Sequence, residues 1–111
     1  MKRTYRLRRN SDFQQVRREG KSYASSLIVL AFLPNKLEQT RFGFVVSKRI
    51  GKAVTRNKIK RQMREAIRLN VNKIRPGFDV VFIARKPIVN VTYSQIVQTL
   101  DLLLKRANLH R

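Results

Sequence analysis

Residues 56–68 read Arg56-Asn57-Lys58-Ile59-Lys60-Arg61-Gln62-Met63-Arg64-Glu65-Ala66-Ile67-Arg68. Set on a helix at about 100° per residue, Arg56, Asn57, Lys60, Arg61, Arg64 and Arg68 fall within an arc of roughly 140°. Ile59, Met63, Ala66 and Ile67 occupy about 100° on a different side. A helix divided in this way docks its apolar seam on a core and lines up guanidinium and ammonium groups outside it. Those groups suit phosphate oxygens, Arg as a planar fork and Lys as a point charge. Like charges clustered on one face repel one another and cost stability unless a polyanion compensates.

Working outward, Arg41 to Ser47 reads as a strand on Phe42-Gly43-Phe44-Val45-Val46. Lys48-Arg49-Ile50-Gly51-Lys52 is a basic loop feeding the helix, for which Thr55 is the expected N-cap. Pro76-Gly77 marks a turn, and Asp79 to Ala84 is a continuous apolar run, the pattern of a strand buried on both faces. Lys21 to Leu33 reads as a further strand; a break near Ser25-Ser26 would give four strands rather than three. The short connection through Pro34-Asn35-Lys36 predicts that this strand runs antiparallel to Arg41–Ser47. Two capping boxes are visible, Ser11-Asp12-Phe13-Gln14 and Thr92-Tyr93-Ser94-Gln95. The first opens a short helix with Phe13 and Val16 on one side and an end at Gly20. The second opens an amphipathic helix carrying Ile96, Leu100, Leu103 and Ala107. Lys2 to Arg9 is a basic N-terminal arm, which alternatively reads as a disordered solubilising tail. The order of elements predicts an α+β sandwich, one domain over 1–111, with a right-handed strand–helix–strand unit by the general rule.

The chain carries 26 Lys and Arg against 6 Asp and Glu, a net charge of +20. Only about a quarter of the cations could pair with an acid, so nucleic acid is the indicated partner class. With no cysteine, disulfides and thiolate metal sites are excluded. The longest apolar run, Leu27 to Leu33, is strand-sized, so no membrane partner is expected. No apolar stretch precedes Ser11, which argues against a secretory signal and for a reducing cytoplasm. The six acids are scattered without a close pair, and a frayed terminus is expected at His110, the only histidine. A general base must be held within about 3 Å of its proton. No catalytic residue and no metal ligand is therefore expected in this chain. Phe13, Tyr23, Phe42 and Phe44 are candidate stacking surfaces for unpaired bases, although Phe42, Phe44 and Phe82 also fit a plain core.

The run Arg56-Asn57-x-x-Lys60-Arg61-x-x-Arg64-Glu65 resembles the signature of the bacterial ribonuclease P protein subunit. Phe44-Val45-Val46-Ser47-Lys48-Arg49-Ile50-Gly51-Lys52-Ala53-Val54 is similar to the same family's preceding connection. Leu7-Arg8-Arg9-Asn10-Ser11-Asp12-Phe13 and Ile83-Ala84-Arg85-Lys86-Pro87 extend the resemblance, in order, over essentially the whole chain. It implies an αβββαβα two-layer sandwich like the second domain of ribosomal protein S five, with a left-handed βαβ crossover in place of the right-handed default. It also implies a protein that joins a catalytic RNA and aids removal of the 5′ leader from precursor tRNA, with no obligate protein partner. On that resemblance Arg56, Asn57, Lys60, Arg61, Arg64 and Arg68, with Lys48, Arg49 and Lys52, would contact the catalytic RNA. Phe13, Arg17 and Ser47 would line a cleft for the single-stranded leader. Some family members carry aromatics where this chain has Arg17 and Ala31, so charge is expected to carry more of the load here. Mg²⁺ would be bound mainly by the RNA and none by the protein alone, since RNA phosphate oxygens supply the ligands. The rival classes are a ribosomal or other structural RNA-binding protein, a DNA-binding architectural protein, and a nuclease acting without RNA.

Overall fold

The computed structural model describes residues 5–111, so Lys2 and Arg3 of the basic arm lie outside the described residues. Its central strand is the apolar run expected to be buried on both faces, β4 (Phe78–Ala84), in which Val80, Val81 and Phe82 are wholly inaccessible. On one side β4 pairs antiparallel with β2 (Ile28–Pro34), Leu30 opposite Phe82. On the other it pairs in parallel with β3 (Arg41–Val45), Phe44 opposite Phe82. The break near Ser25-Ser26 is real, and β1 (Lys21–Ala24) completes the sheet in the order β1-β2-β4-β3.

The pairing of the two strands joined by the short loop needs correction. They run in opposite directions, but β4 lies between them. A short loop constrains direction but not adjacency. The strand with the most apolar surface gains most from the middle, whereas β3, with Arg41 and Gly43, tolerates an edge.

Alternation along the strands divides the sheet into two faces. Ile28, Leu30, Phe42, Val80 and Phe82 meet Ile59, Met63, Ile67, Ile96, Leu100 and Leu103 from α2 (Ala53–Arg68) and α3 (Tyr93–Arg106) in the main core. Ala31 and Val81 point the other way, where Leu7, ahead of the first helix, and Val16 from within α1 (Asn10–Glu19) cover them, with Phe13 and Val45 at the margin. The apolar seam expected of α2 is thus buried as read, at Ile59, Met63, Ala66 and Ile67.

Two helix starts differ from expectation. α1 begins at Asn10 with Arg9 at the cap position, and α2 begins at Ala53 with Lys52 there; neither cap makes a side-chain hydrogen bond. Backbone docking sets the entries instead. Leu7 N–H donates to Phe42 C=O at 2.8 Å ahead of α1, and a single 3-10 turn, Lys48–Ile50, precedes α2. The Thr92–Gln95 capping box of α3 forms reciprocally as expected. The C-terminus is not frayed: His110 pairs with Ile74, Arg111 N–H donates to Lys73 C=O at 2.8 Å, and His110 Nε2 lies 3.2 Å from Asp101.

One ionic clamp ties α1 to the sheet. Asp79, only 7% exposed, accepts from Arg41 Nε at 2.9 Å and from Nη2 at 2.7 Å. Asn35 donates to the same carboxylate at 2.9 Å, and Asp12 of α1 stands 3.9 Å from the guanidinium. The fork geometry raises the Arg41 pKa above its ordinary value, the hydrogen bond to Asp79 being the largest cause. Removing one partner strands the other, so Asp79→Ala is expected to cost about 3 kcal/mol in urea unfolding. A loss under about 1 kcal/mol would show that the clamp contributes little.

Candidate nucleic-acid interface

Because β3 is an edge strand, α1 on one face and α2 on the other leave a trough along it. Phe13 forms one wall. Its ring lies on Gly43 so closely that a Cβ at that position would overlap it. Phe44 forms the floor, half-exposed and stacked on Phe82 with ring centroids 5.6 Å apart. Lys60 of α2 stands opposite. These three residues line two adjoining hollows, of about 440 and 380 Å³, which make one cleft. Arg6, Arg8 and Arg64 complete the first hollow, and Asn10, Gln14 and Arg17 the second.

Among the described residues no carboxylate forms an ion pair with Arg6, Lys60 or Arg64. Asp12 and Asp79 serve Arg41, Glu19 lies by Arg18, Glu65 grips Arg68, and Asp101 lies by Lys105 and His110. The Nε atoms of Arg6, Arg56 and Arg64 are buried without a hydrogen-bond partner. Burial, and then the neighbouring Arg6 charge, push the Arg64 pKa below its ordinary value. By contrast Arg68 holds the Glu65 carboxyl below the usual carboxylate range by hydrogen bonding from an exposed position. Among the described residues no three His, Cys, Asp or Glu side chains converge as a metal site would require.

The basic arc of α2 divides in two. Arg56, Lys60 and Arg64 are half-buried on the flank beside the main core, and the latter two open into the cleft. Asn57 and Arg61 are exposed, as is Arg68, which is occupied by Glu65. Arg61 also borders a second groove of about 550 Å³ with Lys58, Gln62 and Tyr93. Lys48, Arg49 and Lys52 are exposed on the approach to α2. Phe13 and Arg17 share the cleft, but Ser47 is not among its lining residues; it is exposed at the start of the 3-10 turn. Ala31 is buried beneath α1.

Of the other aromatics, Phe42 is core, and Tyr23 is stacked on Phe32 with Arg106 5.4 Å over its ring. Arg6, Arg8 and Gly43 were not singled out as site residues. A glycine flanked by Phe42 and Phe44 in a strand was the available signal, since it marks close approach by another group.

The class that this fold and cleft define is a small basic α+β protein presenting aromatic surface and cations along a sheet edge, suited to single-stranded nucleic acid. The family model described as Ribonuclease P matches residues 1–108. A Clostridioides difficile ribonuclease P protein component is 44% identical over 108 residues, covering 96% of this chain and 95% of that protein. One from Roseiflexus castenholzii is 44% identical, covering 96% and 88%. The ribonuclease P protein structure from Staphylococcus aureus superposes with a TM-score of 0.90 at 38% identity, covering 96% of this chain and 98% of that one. That from Thermotoga maritima gives 0.82 at 38%, covering 90% and 96%. The chain belongs to the ribonuclease P protein family.

The Phe13–Gly43 contact gives a clean test of the cleft wall. Gly43→Ala is expected to cost about 2 kcal/mol in urea unfolding, through overpacking. In a Phe13→Ala background the same change should be nearly neutral, the difference being the coupling of two touching residues. Equal costs in both backgrounds would mean that the ring does not rest there.

Proposed function

We propose that this chain, as the protein subunit of ribonuclease P, binds the catalytic RNA through the exposed basic side of α2 and its approach. On this reading the β3 cleft holds the single-stranded 5′ leader of precursor tRNA. The observation that carries it is the placing of Phe13 and Phe44 together with Arg6, Lys60, Arg64 and Arg17 in a trough at a sheet edge. Aromatic faces take unpaired bases of any identity, at about 1–3 kcal/mol each, while cations follow the backbone. Lys48, Arg49, Lys52, Arg56, Asn57 and Arg61 then serve the catalytic RNA, and Arg17 joins Phe13 in the leader cleft.

Bond cleavage would fall to the RNA, whose bound Mg²⁺ would supply the activation of water and the stabilisation of the leaving oxygen. The contribution of this chain is binding. A +20 polypeptide lessens repulsion between two polyanions and so favours the ternary assembly at low Mg²⁺. Assembly with RNA and action on tRNA precursors place the work in the cytoplasm.

The deciding experiment mixes purified protein, catalytic RNA and precursor tRNA at low Mg²⁺ and omits each component in turn. Cleavage should require the RNA, and precursor affinity should rise with the protein present. Trimming by RNA-free protein, or an affinity indifferent to it, would overturn the proposal. Phe13→Ala should weaken leader-bearing precursor by about tenfold and leave mature tRNA unaffected, consistent with the loss of one stacked base. Arg56→Ala with Arg61→Ala should flatten the salt dependence of catalytic-RNA binding by up to about two log-log units. An intact slope would remove that face from the interface.

A further inference from the structure

The groove of about 550 Å³ beside Arg61 opens between α2 and the start of α3. Its α2 wall is the stripe Lys58, Arg61, Gln62 and Glu65, spaced i, i+3, i+4 and i+7. That stripe is centred roughly 150° around the helix from Lys60, which faces the leader cleft. Arg64 borders both hollows. The opposite wall is Tyr93, the first residue of α3. The reciprocal Thr92–Gln95 capping box fixes where α3 begins, and so holds Tyr93 at the rim.

Tyr93 is placed unlike the other aromatic residues. At 36% it is the most exposed of those described, and it takes part in none of their ring–ring contacts. The charge around it is equally uneven. Glu65 is engaged by Arg68, whose Nε donates to it at 2.9 Å. Among the described residues no carboxylate forms an ion pair with Lys58 or Arg61. Between these cations and the ring stands Gln62, half-buried, whose amide offers one acceptor and two donors. An aromatic face takes an unpaired base, and cations take the phosphates on either side of it. A Gln amide adds what charge and stacking lack, since its donor and acceptor match N7 and N6 of adenine together.

We propose that this groove is a pocket for one unpaired adenine of the catalytic RNA, stacked on Tyr93 and read along N6 and N7 by Gln62. Lys58 and Arg61 hold the flanking phosphates. Tyr93 and Gln62 are then RNA-binding residues, and they give base selectivity to an interface otherwise made of charge. The inference rests on the reading that the exposed side of α2 meets the catalytic RNA, and it names what that RNA must present there.

The test measures binding of the full chain to the catalytic RNA over a range of salt. Tyr93→Ala should weaken binding by about tenfold, the loss of one stacked base, with the salt slope unchanged because no phosphate contact is removed. Tyr93→Phe should restore the affinity. Catalytic RNA carrying 7-deazaadenosine at single positions, which removes the N7 acceptor, should show one position that weakens binding by the parent protein. In Gln62→Ala that position should lose its effect. Circular dichroism and urea unfolding should show both alanine variants folded like the parent. Unchanged affinity in Tyr93→Ala overturns the pocket, as does an equal loss in Tyr93→Phe. A 7-deaza effect that survives in Gln62→Ala, or is found at no position, overturns it too. In each of these cases a salt slope flattened by Arg56→Ala with Arg61→Ala leaves the α2 interface standing. A slope unmoved by that pair sinks the interface reading and the pocket with it.

Discussion

The burial of β4 between β2 and β3 governs the rest of the structure. Val80, Val81 and Phe82 have no face suited to water, so the strand must have a neighbour on each side and a covering layer above and below. Antiparallel pairing with β2 uses one side. The other is filled by β3 in parallel, and a parallel neighbour requires a crossover. α2 is that crossover. Its apolar seam at Ile59, Met63, Ala66 and Ile67 is held on the sheet, which fixes the rotation of the helix and turns Lys60 and Arg64 toward the edge of β3. The cleft therefore follows from the position of the central strand.

Electrostatics separates the parts of the molecule that hold the fold from those left to bind. The acids are spent where geometry must be kept. Asp79 and Asp12 bracket Arg41 and fix α1 against the sheet, and with it the Phe13 wall. Among the described residues no carboxylate pairs with Arg6, Lys60 or Arg64 of the cleft, and the buried Nε atoms of Arg6 and Arg64 have no hydrogen-bond partner. Such an arrangement lowers the stability of the isolated chain and raises its affinity for anions, a trade typical of binding sites. The same uneven allocation explains why a +20 chain can still fold. Charges that repel are distributed over an exposed helix face and an open trough, and the one buried carboxylate has its full set of donors.

Much of this was legible in the sequence. The period of α2, the continuous run of β4, the break near Ser25-Ser26 and the Thr92–Gln95 box each depend on local physics, and each appears as read. The neighbour of β3 was not legible, because loop length constrains direction while adjacency depends on competition among strands for the centre. The caps at Ser11 and Thr55 failed for a related reason. Docked backbone at Leu7 and the turn at Lys48–Ile50 start those helices a residue or more before the side chain that could cap them. In the cleft, Phe13 and Arg17 were visible, but Arg6 reads in sequence as one cation of a tail. Its role depends on a long-range bridge to Phe42 that no local pattern encodes.

The cleft's composition bears on selectivity. Base identity is read by hydrogen bonds to base edges, and backbone contacts carry none of that information directly. Here the wall and floor are phenylalanine rings and the opposing groups are Lys and Arg, with Asn10 and Gln14 as the side-chain amides nearby. Stacking and phosphate contacts are tolerant of sequence. On the proposed reading such a trough holds leaders of many sequences with similar affinity and discriminates chiefly against paired or absent ones, since duplex bases expose no face to stack. Arg17, beside Phe13 in the second hollow, adds charge where an aromatic would add stacking surface, and shifts the balance further toward charge. Leader binding by this chain should then be more sensitive to salt than that of an Arg17→Phe variant, because each added phosphate contact steepens the salt slope by about 0.7.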